Sequence, residues 1–339
     1  MIFFTIYYTN KKVLTPLKEL HTSTREIAAG NYDFKVDIEE ENEFGELASS
    51  FNQMAGKVSI YTDNLEQLVR EKTEELRSAN EVLADKNQKI TDSILYAQNI
   101  QSAIIPDEGQ LRKSFKDYFV IWQPRDIVCG DFYWYKEVED GFLITVIDCT
   151  GHGVPGALMA MTANTILQRI TDNHQNLSPA GILSRLNILL KDLLYKDKSE
   201  QEIDDGLDIA LCKINRDQKH CIYAGARISL FYTEDSEVKR IKGDFQSIGY
   251  RRSSNSFAYT NHIIKIKQGM GFYITTDGYL DQNGVDNKRF GLKRFIQLIQ
   301  NNRGLSLSEQ GDVFKDRLAE YMKNQEQRDD ITVLGFRVV

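Results

Sequence analysis

The stretch Val146-Ile147-Asp148-Cys149-Thr150-Gly151-His152-Gly153 passes from apolar residues to an aspartate and then into a glycine-rich turn. Related arrangements occur in Gly130-Asp131-Phe132-Tyr133, in Thr275-Thr276-Asp277-Gly278-Tyr279 and in Gln327-Arg328-Asp329-Asp330-Ile331-Thr332-Val333. In each of them an aspartate stands where an apolar strand begins or ends, beside a turn-forming residue. Such a side chain is anchored at the rim of a core. We therefore expect these carboxylates to face a cleft.

Carboxylates that converge on one cleft repel each other strongly unless cations lie between them. Oxygen ligands select hard ions such as magnesium or manganese over zinc. Two such ions about 3.5–4 Å apart can activate a bridging water molecule and neutralise phosphate oxygens. A single Asp-Gly turn is common and carries little information. Four aspartate motifs at strand ends together favour a metal-dependent phosphoryl site.

The surrounding sequence predicts an α+β fold on antiparallel sheets, because strand-like runs mostly follow one another and helices are inserted in pairs. Strands are predicted at residues 119–122, 141–147, 209–214, 228–232, 263–266, 271–275 and 331–338. Helices are predicted at residues 155–170, 179–194, 290–300 and 307–323. The turn signal Pro106-Asp107-Glu108-Gly109 marks the expected start of this domain, at residues 106–339.

Taken together, the motifs resemble the PPM family of metal-dependent serine/threonine protein phosphatases, in its SpoIIE-like (RsbU-like) branch. The resemblance implies two antiparallel β-sheets packed as a sandwich and flanked by helices, with two divalent cations, manganese or magnesium, at one edge. It implies the following metal ligands: Asp131, Asp148, the carbonyl of Cys149, Asp277, Asp329 and Asp330. Asp131 and Asp148 are then the catalytic centre, with Asp148 bridging the two ions. For Asp330 the resemblance leaves open whether it ligates a metal or supports a ligand.

Three side chains are candidates for substrate binding: Arg125, His152 and Arg227. Arg227 stands where relatives commonly carry histidine, and it either binds a substrate phosphate or pairs with an acid. His152 is a candidate general acid. Its spacing from Asp148 instead favours a structural or substrate-loop role. Arg125 precedes the first aspartate motif, where a phosphate-binding arginine would be useful.

Two further positions have simple structural interpretations. Cys129 replaces a glycine of the family pattern, and we interpret it as a small buried hydrophobic residue rather than a catalytic thiol. Asp208 follows Asp204-Asp205-Gly206-Leu207 and precedes an apolar run. It either touches a third metal or the substrate, or belongs to the turn before a strand, which is the more common role.

The N-terminal part resembles a HAMP domain, the relay module of membrane receptors. A predicted helix at residues 13–30 contains Pro16 and ends at Gly30, and an extended connector with an acidic run at 39–41 follows. The second helix carries Glu43-Phe44-Gly45-Glu46-Leu47 and Phe51-Asn52-Gln53-Met54. We assign residues 13–57 to this unit. Its apolar stripes need a partner, and a dimer that forms a parallel four-helix bundle would supply one; a generic helical hairpin is the alternative.

A coiled coil is predicted at residues 58–105, because apolar residues recur every seven positions at Val69, Leu76, Leu83 and Ile90. Polar residues at the facing heptad positions weaken such a coil but fix its register and favour two parallel strands. The pattern therefore predicts a homodimer through the HAMP-like and coiled-coil segments. The alternative is a single amphipathic helix packed on the C-terminal domain.

Residues 1–12 combine an apolar start with Lys11 and Lys12, which is typical either of the last turns of a membrane helix or of an ordinary apolar helix. The expected location is cytoplasmic, either free or at the inner face of the cell membrane with a sensor upstream. The cysteines form no CxxC pair, which favours a reducing compartment. A net charge of -7 argues against nucleic-acid binding.

By the family resemblance, the expected activity is hydrolysis of phosphoserine or phosphothreonine on a bacterial regulatory protein by metal-bound hydroxide. An anti-sigma-factor antagonist is the type of substrate implied, with regulation through the N-terminal segments. The alternative is a catalytically silent scaffold of the same fold that binds a phosphoprotein. A nucleotide hydrolase is less favoured, because the chain has no GxxxxGK phosphate loop.

Overall fold

The computed structural model describes residues 1–38, 41–173, 177–195 and 204–338. These residues form two compact units, Met1–Lys89 and Ile90–Val339. Residues 39 and 40 of the predicted acidic run lie outside the described residues.

The first unit is helical. Helix α1 (Ile2–Thr9) continues through a π-helical turn (Asn10–Leu14) into α2 (Thr15–Ala28). Helix α3 (Glu43–Ser102) follows the extended connector. Within the described residues, no helix combines the length and apolar composition needed to cross a bilayer.

A small core joins the connector to the helices of the first unit. Leu20, Val36 and Ala48 are its buried members. The side-chain amide of Asn52 also pairs with both backbone groups of Val36, at 2.9 Å in each direction. This pairing explains how an extended connector without a strand partner stays attached to α3.

The second unit contains two five-stranded antiparallel sheets. The first sheet has the order β1-β10-β9-β6-β7 and the second β2-β3-β4-β5-β8. The strands are β1 (Asp117–Gln123), β2 (Phe132–Val138), β3 (Gly141–Cys149), β4 (Leu207–Asn215), β5 (His220–Ala226), β6 (Leu230–Glu234), β7 (Glu237–Ile241), β8 (His262–Lys265), β9 (Phe272–Thr275) and β10 (Ile331–Arg337). The helices are α4 (Glu108–Ser114), α5 (Gly153–Asn173), α6 (Pro179–Tyr195), α7 (Asp277–Asp281), α8 (Gly291–Asn302) and α9 (Leu307–Met322).

Three buried clusters hold these layers together. The central cluster lies between the sheets and includes Ile144 and Phe272. A second cluster packs α5 and α6 on the outer face of the second sheet, and a third packs α8 and α9 on the outer face of the first. This helix–sheet–sheet–helix arrangement confirms the predicted sandwich of two antiparallel sheets flanked by helices.

The predicted strands and helices of this domain are all present, within a few residues at their ends. Three strands were not predicted: β2, β5 and β7. Strand β5, His-Cys-Ile-Tyr-Ala-Gly-Ala, is rich in small residues, and β7 is largely polar because it lies at a sheet edge. The second HAMP helix and the predicted coiled-coil segment form one continuous helix, α3.

Candidate metal centre

Asp148 is the penultimate residue of β3 and lies directly opposite Asp208 of β4 in the antiparallel register. The chain then leaves the sheet through Gly151 (φ 83°) and Gly153 (φ 64°), in the left-handed region that favours glycine. Gly156 has no room for a side chain, because a Cβ there would lie 2.2 Å from the carbonyl oxygen of Gly151. These glycines let α5 begin shortly after Asp148, at Gly153.

Asp131 precedes β2 and is buried, with 2% of its surface exposed. The hydroxyl of Thr276 donates to its Oδ2 at 2.7 Å, and the indole N–H of Trp122 donates to its carbonyl at 2.9 Å. Burial, followed by the negative charge of Asp148, raises the pKa of Asp131 well above its ordinary value. A buried carboxyl held between another acid and a hydroxyl is a strong candidate for cation binding.

Aspartates of the four motifs affect one another's pKa values. Burial and then the charges of Asp277, Asp208 and Asp329 raise the pKa of Asp148. Asp277 is the first residue of α7, after β9 and Thr276, and partial burial and Asp329 raise its pKa to about 6. Neighbouring carboxylates therefore disfavour ionisation of Asp148 and Asp277, as expected for a shared site, whereas the hydrogen bond with Asp131 lowers the pKa of Asp148.

Asp329 and Asp330 are adjacent in sequence but have different surroundings. Asp329 is exposed, whereas Asp330 is 2% exposed. The two oxygens of Asp330 accept backbone N–H groups from Arg125 at 2.7 Å and from Gly130 at 2.6 Å. This arrangement favours Asp330 as a clamp on the loop before Asp131, and it leaves Asp329 as the exposed side chain of the two.

Cys129 and Cys149 lie next to the acids and are both buried. Burial raises the pKa of each thiol above its ordinary value, so neither is a ready nucleophile. The interpretation of Cys129 as a buried hydrophobic residue is confirmed. The carbonyl of Cys149 faces Gly130, since a Cβ on Gly130 would lie 3.2 Å from that oxygen.

Within the described residues, no group of three or more His, Cys, Asp or Glu side chains is already arranged so that it could hold a metal ion. The donor set nevertheless fits hard divalent cations, because it consists of carboxylate and carbonyl oxygens. Asp208 gives an independent indication: its Oδ1 is buried and has no hydrogen-bond partner, and burial raises its pKa. An unsatisfied carboxylate oxygen beside acids that repel one another is an arrangement that a cation stabilises.

A cleft of about 360 Å³ opens beside Asp148, Asp208 and Asp277. Its lining also includes three cationic residues: Arg227, Arg240 and Lys242. Arg227 adopts a left-handed backbone conformation (φ 66°), and Arg240 donates to the hydroxyl of Ser229 at 3.0 and 2.9 Å. Sequence reasoning singled out Arg227 but missed Arg240 and Lys242, which lie on β7 and just after it.

His152 and Arg125 are not among the described residues that line this cleft. The Nδ1 of His152 lies 2.7 Å from Oδ2 of Asp126, and both side chains are partly exposed. The structure thus gives His152 an acidic partner that the sequence did not indicate, because the two residues belong to separate loops. For Arg125, the described contact with the aspartate cluster is through its backbone N–H to Asp330.

The fold and its rim of aspartates define a PP2C-type phosphatase domain. The family model of Stage II sporulation protein E (SpoIIE) matches residues 139–339, and the HAMP domain model matches residues 8–59. The SiaA-PP2C domain of Pseudomonas aeruginosa is 38% identical, with a TM-score of 0.67, and the match covers 75% of this chain and 98% of that domain. The chain belongs to the SpoIIE family of PP2C-type phosphatases and carries a HAMP domain before the phosphatase domain.

Two curated relatives are more distant. Protein IcfG of Synechocystis sp. is 22% identical over 344 residues, which cover 94% of this chain and 50% of IcfG. Phosphoserine phosphatase RsbP of Bacillus subtilis is 25% identical over 161 residues, which cover 45% of this chain and 36% of RsbP. The chain therefore spans half or less of the length of these relatives.

Proposed function

We propose that this chain hydrolyses phosphoserine or phosphothreonine on a bacterial regulatory protein, such as an anti-sigma-factor antagonist. The observation that carries the proposal is that Asp148, Asp208 and Asp277 line one open cleft, and that the charge of Asp148 also raises the pKa of the buried Asp131. The likeness to the SiaA-PP2C domain and to a protein named phosphoserine phosphatase supports the same class of reaction.

The residues proposed to hold two divalent cations, manganese or magnesium, are Asp131, Asp148, the carbonyl of Cys149, Asp277 and Asp329. Such cations, when bound, lower the pKa of water and neutralise phosphate charge. Thr276 fixes the orientation of Asp131 through its hydroxyl, 2.7 Å from Oδ2. Asp330 supports the ligands from behind by holding the backbone of Arg125 and Gly130.

The cationic residues of the cleft are the proposed binding site for the substrate phosphate and for the substrate residues next to the phosphorylated serine. Arg227 lines the same cleft as Asp148, so a phosphate there would meet carboxylates on one side and a guanidinium on the other. Arg240 and Lys242 extend the positive charge along the cleft. Substrates with acidic residues beside the phosphorylated serine should therefore be preferred.

The proposed organisation assigns residues 1–12 either to the end of a membrane helix or to an ordinary apolar helix, 13–57 to the HAMP-like unit, 58–105 to a signalling coiled coil and 106–339 to the phosphatase. Homodimerisation through α3 is proposed because Val69, Leu76, Leu83 and Ile90 are 56, 64, 56 and 58% exposed in the single chain. The proposed location is the cytoplasm, free or at the inner membrane face under control of a sensor.

The activity is tested by manganese-dependent phosphate release from p-nitrophenyl phosphate and from a phosphoserine peptide. Asp148→Asn should abolish release from both substrates, and Asp312→Asn, an exposed aspartate on α9, should leave it unchanged. If the wild type binds a phosphopeptide but releases no phosphate with manganese or magnesium, the chain is instead the silent scaffold of the same fold.

A further inference from the structure

Gln282 is a polar side chain that is 0% exposed, and it lies directly after the short helix α7. Its Oε1 accepts the backbone N–H of Arg328 at 3.0 Å, and its Nε2 donates to the carbonyl of Glu326 at 3.0 Å. The carbonyl of Asn283 is a second acceptor, 3.3 Å from the same Nε2. One buried side-chain amide therefore joins the turn after α7 to the segment before β10.

This pattern of hydrogen bonds requires an uncharged amide of this length. Burying an amide is costly unless its donor and its acceptor are both satisfied, and here both are. Glutamate has the same length but no N–H to offer the Glu326 carbonyl, and it would bring another negative charge toward the aspartate cluster. Methionine keeps the length and the apolar stem but has no N–H and only a weakly accepting sulfur.

Each of the two joined segments carries a proposed metal ligand. Helix α7 begins with Asp277, five residues before Gln282, and Asp329 follows Arg328 directly. The charge of Asp329 raises the pKa of Asp277, so the two carboxylates repel each other when both are ionised. Without a cation this repulsion favours separation of the two segments, and the amide of Gln282 opposes that separation without adding charge.

A pair of glutamines also holds the segment before β10, but at the protein surface. The Nε2 of Gln327 donates to the carbonyls of Gln123 at 2.9 Å and Asp329 at 2.8 Å, and its Oε1 accepts from the Nε2 of Gln123 at 2.7 Å. Water competes for such exposed groups, whereas hydrogen bonds in a buried, less polar environment are stronger. The buried contacts of Gln282 are therefore expected to contribute most to the order of the loop that carries Asp329.

We infer that Gln282 is a positioning residue, which holds the segment of Asp329 against that of Asp277 and thereby raises the affinity of the aspartate cluster for divalent cations. The inference rests on the proposed metal-dependent function of that cluster. Gln282 acts through backbone groups and not by ligation. When its amide is removed, the cation must order the Asp329 loop as it binds, and part of the binding free energy is lost to that ordering.

The test uses the full chain and compares the wild type with Gln282→Met, Gln282→Glu and the matched control Gln310→Met. Gln310 lies on α9 and is likewise 0% exposed. Its Nε2 donates to the Leu305 carbonyl at 3.2 Å, and its Oε1 accepts from the Tyr273 hydroxyl at 2.8 Å. The control therefore removes an equally buried amide with two hydrogen bonds, and neither bonded residue is adjacent in sequence to a proposed ligand.

Manganese affinity is measured by isothermal titration calorimetry, stability by thermal unfolding in EDTA, and exchange of the Arg328 amide hydrogen by mass spectrometry without metal. Both Gln282 variants should bind manganese about fivefold more weakly or worse, the loss typical of one intramolecular hydrogen bond, and should exchange the Arg328 amide faster. Gln310→Met should lower the melting temperature by a comparable amount but keep the wild-type manganese affinity and the wild-type exchange of Arg328.

Unchanged manganese affinity in a folded Gln282 variant would overturn the inference. An equal loss of affinity in Gln310→Met would also overturn it, because the effect would then reflect general stability. Rapid exchange of the Arg328 amide in the wild type would do the same, and that measurement requires no variant. If manganese binding and exchange behave as expected but no phosphate is released from a phosphoserine peptide, the proposed function fails while the positioning role stands.

Discussion

Replacing Asp330 by asparagine should destabilise the metal-free protein, whereas the same change at Asp329 should not. Each oxygen of Asp330 accepts a backbone N–H, from Arg125 at 2.7 Å and Gly130 at 2.6 Å, and the residue is 2% exposed. Asparagine keeps one acceptor but turns an NH₂ group toward the other donor. The lost hydrogen bond to a carboxylate and the stranded N–H correspond to about 1.5–3 kcal/mol.

For a domain of this size, a loss of 1 kcal/mol lowers the melting temperature by roughly 2–4 °C. Asp330→Asn should therefore lower the melting temperature by about 3–12 °C. The decrease should lie toward the smaller value, because removing the charge of Asp330 also relieves its repulsion of Asp131. Asp329 is exposed, and its side chain accepts the N–H of Asp330 at 2.9 Å. Its replacement should change the melting temperature by less than about 2 °C.

The assay is thermal unfolding followed by circular dichroism in EDTA, together with calorimetric titration of manganese. Asp329→Asn should lose manganese affinity without losing stability. Asp330→Asn should lose stability in EDTA, before any metal is added. Equal melting temperatures for the two variants would refute the division between a clamp and an open ligand.

Three further outcomes are expected. In EDTA the melting temperature should fall as pH rises from about 4 to about 6. The pKa of Asp277 is raised to about 6 from an ordinary 3.8, so the folded state binds more protons than the unfolded state in that window. Manganese should suppress this fall, and a melting temperature that rises over the same range in EDTA would contradict the prediction. Arg227→Ala should raise KM for a phosphoserine peptide about tenfold with a smaller change in kcat, as expected for a lost phosphate contact. Unchanged steady-state kinetics would show that Arg227 does not bind the substrate. Leu76, which is 64% exposed in the single chain, lies on the predicted dimer seam, and Leu76→Asp should convert a dimer into monomers in analytical ultracentrifugation. The control Asn80→Asp removes less apolar surface and should dissociate the dimer to a smaller extent.

The layered fold was predictable because its strands and helices carry clear local patterns. The aspartates were predictable for a related reason: each stands at a strand end, where the chain must turn at the rim of a core. The pairing of Asp148 with Asp208 was not predictable, because it depends on the β3–β4 register across a long connection. Sequence reasoning accordingly favoured a simple turn for Asp208.

Other parts of the site depend on which way neighbouring side chains point. Asp329 and Asp330 are the same residue type at adjacent positions, and the sequence does not indicate which of them is buried. In the fold it is Asp330, which is 2% exposed and accepts the N–H of Gly130. Gln282 stands in a short polar turn after α7, and its burial depends on the loop before β10, which is distant in sequence. The contact between His152 and Asp126 likewise joins two loops that carry no shared local pattern.

Anomalous diffraction at the manganese edge, from crystals of the full chain grown with manganese, tests the central claim most directly. Two anomalous peaks bounded by Asp131, Asp148, Asp277 and Asp329 are predicted for the wild type, with loss of at least one peak in Asp148→Asn. Peaks elsewhere in the domain, or none in the wild type at saturating manganese, would contradict the assignment of this cluster as the metal centre.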